Sequence, residues 1–119
     1  MPKLVIIDDE VDIREFAKNF FQKRKIDVLT SSGGEPAVAL VASEKPDLVL
    51  LDVRMGEMSG VDVLRRIREN NKLVKVIMVT GVMDEDVINT TKELGISGYI
   101  HKPLVLNELE KIVLAELEK

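Results

Sequence analysis

Cysteine is absent from this 119-residue chain. That excludes disulfides, thiol catalysis and zinc–thiolate sites, and it fits a reducing, cytoplasmic setting. Tryptophan is also absent and glutamine occurs once, while lysine and glutamate are abundant. That balance leans toward a heat-adapted source. No apolar run approaches the roughly 20 residues that cross a bilayer, so no membrane partner is expected. Met1-Pro2-Lys3 leads straight into an apolar strand, without the features of a signal peptide. No block of like charge forms a basic arm or an acidic tail, and the net charge of −4 disfavours direct contact with nucleic acid. No linker, repeat or low-complexity stretch interrupts residues 1–119, which read as a single domain.

What is present is a strand–helix alternation. Hydrophobic residues make up 45% of the chain, enough for a packed core. Leu4 to Ile7, Ile26 to Thr30, Leu48 to Leu51, Lys75 to Val79 and Ser97 to Ile100 read as strands. The third is apolar throughout, as a strand buried on both faces must be. Between them, Ile13, Phe16, Ala17, Phe20 and Phe21 fall near helical spacing, and Arg24 and Lys25 suit that helix's C-terminal end. Pro36 suits the first turn of a second helix, with Ala37, Leu40 and Val41 inward and Pro46 as its stop. Ser59 and Asp84 can cap the third and fourth helices, and Gly95 can end the fourth. Val63, Leu64 and Ile67 give the third helix its inward face, and Leu106, Leu109, Ile112, Val113 and Leu117 that of the last. Such alternation predicts an α/β fold, a doubly wound parallel sheet with helices on both faces. Two strand orders are common for such sheets, and the pattern leaves both open.

Four of these strands run into polar residues of a particular kind. The first ends in Asp8-Asp9, the third in Asp52, the fourth in Thr80-Gly81, and the fifth leads through His101 to Lys102-Pro103. Ligands bind outside the carboxyl ends of parallel strands, so these groups should meet at one edge. Carboxylates beside a lysine can hold a hard cation together with a phosphoryl group. A carboxylate can itself be the nucleophile, forming an aspartyl-phosphate. Lys102 can neutralise one phosphoryl oxygen, the Thr80 hydroxyl can donate to another, and Gly81 lets its N–H approach closely. The pattern points to Mg²⁺-dependent phosphoryl chemistry at an aspartate. Each residue also has a plain structural reading. Asp8, Asp9 or Glu10 can cap a helix, Asp52 can be a turn residue, Lys102 a structural ion pair, Thr80 a strand former and Tyr99 packing. Their joint occurrence at four strand ends favours chemistry. His101 reads as a surface histidine, and Met55, Met58, Met78 and Met83 as packing residues.

Ile6-Ile7-Asp8-Asp9-Glu10, Leu50-Leu51-Asp52-Val53-Arg54-Met55, Met58-Ser59-Gly60, Thr80-Gly81 and Lys102-Pro103, at these spacings, resemble the receiver domain of two-component response regulators. The resemblance covers the chain from Leu4 to the last helix. It implies a flavodoxin-like (βα)5 sheet in the order 2-1-3-4-5 and a cis peptide before Pro103. It implies Asp52 as the phosphoacceptor, Asp8 and Asp9 as the acidic Mg²⁺ pair with Asp52, and the Arg54 carbonyl as a further ligand. Lys102 is implied as the phosphoryl-binding lysine, with Thr80 and Tyr99 as switch residues. The implied partners are a histidine kinase or histidine phosphotransfer protein and a downstream target or output domain. Such a domain catalyses its own phosphorylation and dephosphorylation without being a turnover enzyme. The chain departs from the pattern at Gly56, where the family usually has proline. Arg54 and Val82 flank the expected approach of hydrolytic water, and neither can align it as an acceptor. The alternative readings are an aspartate-nucleophile phosphatase of dehalogenase-like type and a flavodoxin-like FMN binder. Adjacent Asp8-Asp9 departs from the Asp-x-Asp of the former, and Asp8-Asp9-Glu10 would repel the phosphate of the latter.

Overall fold

The computed structural model describes residues 1–54, 58–81 and 84–118. Met55, Gly56, Val82 and Met83 lie outside the described residues, and with them the expectations placed there. The elements alternate as β1 (Lys3–Ile7), α1 (Val11–Gln22), β2 (Asp27–Ser31), α2 (Gly34–Glu44), β3 (Leu48–Asp52), α3 (Gly60–Asn70), β4 (Lys75–Thr80), α4 (Glu85–Glu93), β5 (Gly98–His101) and α5 (Leu106–Glu118). All strand pairs are parallel, in the order β2-β1-β3-β4-β5. The peptide before Pro103 is cis.

Alternation within the strands divides the core in two. Val5, Ile7, Val49, Leu51, Val76 and Met78 face Ala37, Val41, Val63 and Leu64 of α2 and α3. Leu4, Ile6, Leu48, Leu50, Ile77 and Val79 face Ala17 and Phe21 of α1 and Leu109 and Val113 of α5. Successive side chains of a strand point to opposite faces, so a sheet covered on both sides needs an apolar residue at each position.

The caps are as the sequence suggests. Ser59 Oγ accepts from the Asp62 N–H at 3.2 Å, and Asp84 Oδ1 accepts from the Asp86 N–H at 2.8 Å. Gly95 closes α4 with φ +77°. Other expectations shift. The second strand begins at Asp27, because the Asp27 N–H joins the Pro2 carbonyl while the Ile26 N–H turns back to Phe21. The fifth runs from Gly98 to His101. Phe16 is 51% exposed, since Ile13, Ala17 and Phe21, spaced by four, take the sheet-facing stripe. Leu40 is only partly covered, and Val38 is the buried residue beside it. Arg24 lies just beyond α1, but Nη1 donates to the Phe20 carbonyl at 3.0 Å and the guanidinium stacks on the Phe20 ring. It completes the helix end as expected of a cation there. No helix of the described residues is long and apolar enough to cross a membrane.

Candidate functional site

The register brings the strand ends together. Ile7 lies beside Leu51, Asp52 beside Val79, and Thr80 beside His101. The residues that follow β1, end β3 and β4, and follow β5 therefore share one edge, as the sequence pattern anticipated.

Asp8 is 3% exposed and held through three groups. Its N–H donates to the Ser31 carbonyl at 3.1 Å, its carbonyl accepts from Arg14 Nη1 at 2.7 Å, and Oδ1 accepts from the Glu10 N–H at 2.9 Å. Glu10 occupies the N-cap position of α1 but its side chain makes no capping bond. The capping reading of the acidic trio therefore fails for Glu10, and Asp8 closes a turn before the helix instead. Asp9 and Glu10 are exposed. Carboxylate oxygens of Asp8, Asp9 and Glu10 come within 4.8 Å of one another.

Asp52 is also 3% exposed. Its Oδ1 accepts from the Arg54 N–H at 3.2 Å, and its Oδ2 accepts from Lys102 Nζ at 3.1 Å. Lys102 Nζ also stands 3.7 Å from Asp8 Oδ2 and 3.6 Å from Glu10 Oε1. The Lys102 main chain is anchored by an N–H bond to the Thr80 carbonyl at 2.8 Å. Thr80 is buried at the end of β4. A Cβ added to Gly81 would make only ordinary contact with Lys102 Cβ at 4.0 Å, so packing does not demand glycine there. Tyr99 is half-buried on β5, with its hydroxyl bonded to α4. His101 is exposed.

Gly60, by contrast, is sterically required. It opens α3 directly against the end of β3, and its N–H donates to the Val53 carbonyl at 2.8 Å. A Cβ there would lie 2.0 Å from the Asp52 carbonyl oxygen and 2.8 Å from Val53 Cα.

One ammonium thus sits among several carboxylates. Burial pushes the Asp8 carboxyl above its ordinary value, opposed by the Glu10 N–H bond and reinforced by the Asp52 charge. Burial also pushes Asp52 up, opposed by its bond to Lys102. For Lys102 burial acts downward, but the bond to Asp52 and the charges of Asp8 and Glu10 outweigh it, and the ammonium is held above its ordinary range. A carboxyl whose value folding raises favours the native state while protonated. That contribution is complete below the ordinary value near 3.8 and is lost as pH rises through the raised native value. At neutral pH the ionised pair therefore costs stability. Asp52→Asn should raise the melting temperature in EDTA by several degrees, and added Mg²⁺ should narrow the gap. A melting scan in EDTA that shows the variant less stable contradicts this.

Sequence reasoning missed three contributors. Glu10 joins the ion pairs of Lys102, and Arg14 pins the Asp8 carbonyl from α1. Arg68, buried on α3, donates to the Leu94, Gly95 and Asn71 carbonyls and ties down the end of α4. The adjacency of Glu10 to the acidic pair was the only signal for the first. For the two arginines the partners are main-chain carbonyls, which no side-chain pattern reveals.

A parallel five-stranded sheet in this order, with acidic groups and a lysine gathered at its carboxyl edge, defines the receiver class of signalling domain. Comparison with known proteins agrees. The family model for the response regulator receiver domain matches residues 4–114, and the chain belongs to that family. It is 32% identical over 111 residues to sporulation initiation phosphotransferase F of Bacillus subtilis, covering 93% of this chain and 90% of that protein. It is 31% identical over 117 residues to the alkaline phosphatase synthesis transcriptional regulatory protein PhoP of the same organism, covering 98% of this chain but 49% of that one. Among solved structures, chemotaxis protein CheY4 of Vibrio cholerae superposes with a TM-score of 0.90 at 25% identity, covering 97% of this chain and 98% of that one. A two-component response regulator from Clostridium difficile gives 0.92 at 25% identity, covering 100% and 98%. The chain spans nine tenths of the first relative and about half of the second. As a receiver it is a two-component signalling domain rather than a turnover enzyme, and its partner classes are a phosphodonor kinase or phosphotransfer protein and a downstream effector.

Proposed function

We propose that Asp52 is the phosphoacceptor and takes its phosphoryl group from a phosphohistidine on a histidine kinase or phosphotransfer protein. The observation that carries this is the setting of Asp52. It is buried at the end of a central strand, one oxygen is held by the Arg54 N–H and the other by Lys102, and acidic groups stand alongside. An Asp52 oxygen forms the new O–P bond as the N–P bond breaks, and the electron pair leaves with the imidazole. Transfer of this kind requires positioning and charge neutralisation more than covalent help. Lys102 already sits on Asp52 Oδ2, where an ammonium can meet a phosphoryl oxygen without reorganisation. Thr80 and the Gly81 N–H supply further donors at the same edge.

The donor set fits Mg²⁺. It is all oxygen, without sulfur or imidazole, and Asp8, Asp9 and Glu10 bring carboxylates within 4.8 Å of one another. Asp8, Asp9, Asp52 and the Arg54 carbonyl would hold the ion. When bound it would neutralise charge shared between the acceptor carboxylate and the phosphoryl oxygens. Thr80 and Tyr99 are the switch residues in this reading, and the surface of α4, β5 and α5 is the one that changes for a downstream target.

With Mg²⁺ and acetyl phosphate, the protein should gain the mass of a single phosphoryl group, mapped to Asp52. Chelation or Asp52→Ala should abolish the gain. Equal labelling of Asp52→Ala would refute the assignment. Multiple turnover of the phosphodonor without a stable adduct would favour the dehalogenase-like phosphatase instead.

A further inference from the structure

Little apolar burial holds α4 to the sheet. Of its nine residues only Thr91 is buried, and fully so, while Val87 packs partly covered against the core. The Thr91 hydroxyl lies 2.7 Å from the Val87 carbonyl and 3.1 Å from that of Ile88, and it is hydrogen-bonded to the Tyr99 hydroxyl. The Tyr99 hydroxyl also reaches the Ile88 carbonyl at 3.0 Å. Each hydroxyl carries one proton. If Tyr99 donates to Ile88, Thr91 donates to the Tyr99 oxygen. If Tyr99 donates to Thr91, Thr91 donates to Val87. Both arrangements satisfy the pair and join the edge strand to α4 through side chains.

We propose that Thr91 is a positioning residue that holds Tyr99 turned in against α4 and so sets the shape of the α4–β5 surface before any phosphoryl group arrives. A threonine that only filled space could be valine at almost no loss of volume. Here the hydroxyl anchors the phenol at a depth where an unpaired polar group is costly. Without it, Tyr99 keeps a single main-chain acceptor, and an outward orientation with a hydrated hydroxyl becomes competitive. The latch stands on this geometry alone, while its consequence for signalling rests on the phosphorylation reading above. A phosphoryl signal that acts through Tyr99 has to work against, or with, a contact made inside α4, and it shifts the equilibrium only by its differential interactions.

The chain has one tyrosine and no tryptophan, so tyrosine emission and the ¹⁹F resonance of incorporated 3-fluorotyrosine report on Tyr99 alone. Without phosphodonor, Thr91→Val should move the ¹⁹F resonance toward its solvent-exposed position and raise acrylamide quenching about twofold, as expected when two orientations become comparably populated. Thr91→Ser should return both signals to wild type. In the wild-type protein, proton NMR should show through-space contact between the Tyr99 ring and Thr91, a measurement that needs no variant. Unchanged Tyr99 signals in folded Thr91→Val, or no contact in the wild type, overturns the proposal. A second arm adds Mg²⁺ and acetyl phosphate. A missing adduct there refutes the phosphorylation reading and leaves the latch decided by the first arm. An adduct with a Tyr99 response identical in wild type and Thr91→Val refutes the consequence for signalling, with the latch itself decided by the first arm.

Discussion

Lys102→Ala should slow phosphoryl uptake by Asp52 by about 100-fold or more, the usual scale for removing one preorganised charge from developing oxyanions. The Lys102 ammonium lies 3.1 Å from Asp52, 3.7 Å from Asp8 and 3.6 Å from Glu10, and it is the cation that the described ion pairs place among these carboxylates. Alanine leaves the acceptor in place but strips the site of that charge, so time courses by intact mass should show a slow adduct rather than none. The same change should destabilise the metal-free protein at neutral pH, because buried Asp8 and Asp52 lose their counter-charge. Folding raises the Lys102 value above the ordinary 10.5. Its stabilisation is therefore complete below that value and lost as pH rises through the native one, so the stability gap between wild type and Lys102→Ala should close only in strong alkali. Uptake at an unchanged rate would remove Lys102 from the phosphoryl site. A gap that closes near neutrality would remove it from the ion-pair network.

Gly60→Ala should be strongly damaging, because its methyl would meet main chain on every near side. The added carbon would meet the Asp52 carbonyl oxygen at 2.0 Å, and its next neighbours, the Asp52 carbonyl carbon and Val53 Cα at 2.8 Å, are main chain as well. None of these is the end of a flexible side chain, so α3 and the end of β3 must separate. Overpacking in a well-packed interior costs about 1–3 kcal/mol and sometimes more, and an all-backbone clash belongs at or above the upper end. The melting temperature should fall by roughly 10 °C. The part of β3 that yields carries Asp52, so phosphoryl uptake should fall with it. Gly98→Ala is the control, since a Cβ there has open space and should shift stability by less than about 1 kcal/mol. Equal melting temperatures for the two variants would show that α3 moves away freely.

The elements that the sequence made legible are those written in local repeats. β3 reads as a strand because its residues are apolar without interruption, and it is buried along its whole length. Ser59 and Asp84 read as caps because a short acceptor before a helix bonds donors two or three residues on, and both do so. Phe16 misled because aromatic residues at neighbouring helical positions look alike in sequence, while only the stripe of Ile13, Ala17 and Phe21 can face a sheet. The acidic trio carried two readings, and the capping one does not hold for Glu10. Asp8 is placed to cap by type, yet its carboxylate turns into a closed turn with Glu10 and faces Lys102 from the far end of the chain.

The sequence by itself determined the polar residue at four strand ends and, through uninterrupted apolar runs alternating with helices, that those ends share an edge. That follows because a parallel sheet repeats one direction, so any residue that ends a strand is carried to the same side. The apolar pattern left the strand order open; the family resemblance implied 2-1-3-4-5, and the tertiary structure has that order, so that Asp52 lies between Asp8 and Thr80 in the sheet. Tertiary structure alone decided the contacts of Lys102 with Glu10, of Arg14 and Arg68 with main-chain carbonyls, and of Thr91 with Tyr99. These join residues that no periodicity links. Their energy depends on distance and burial after the layers have packed, and neither quantity is encoded in spacing along the chain.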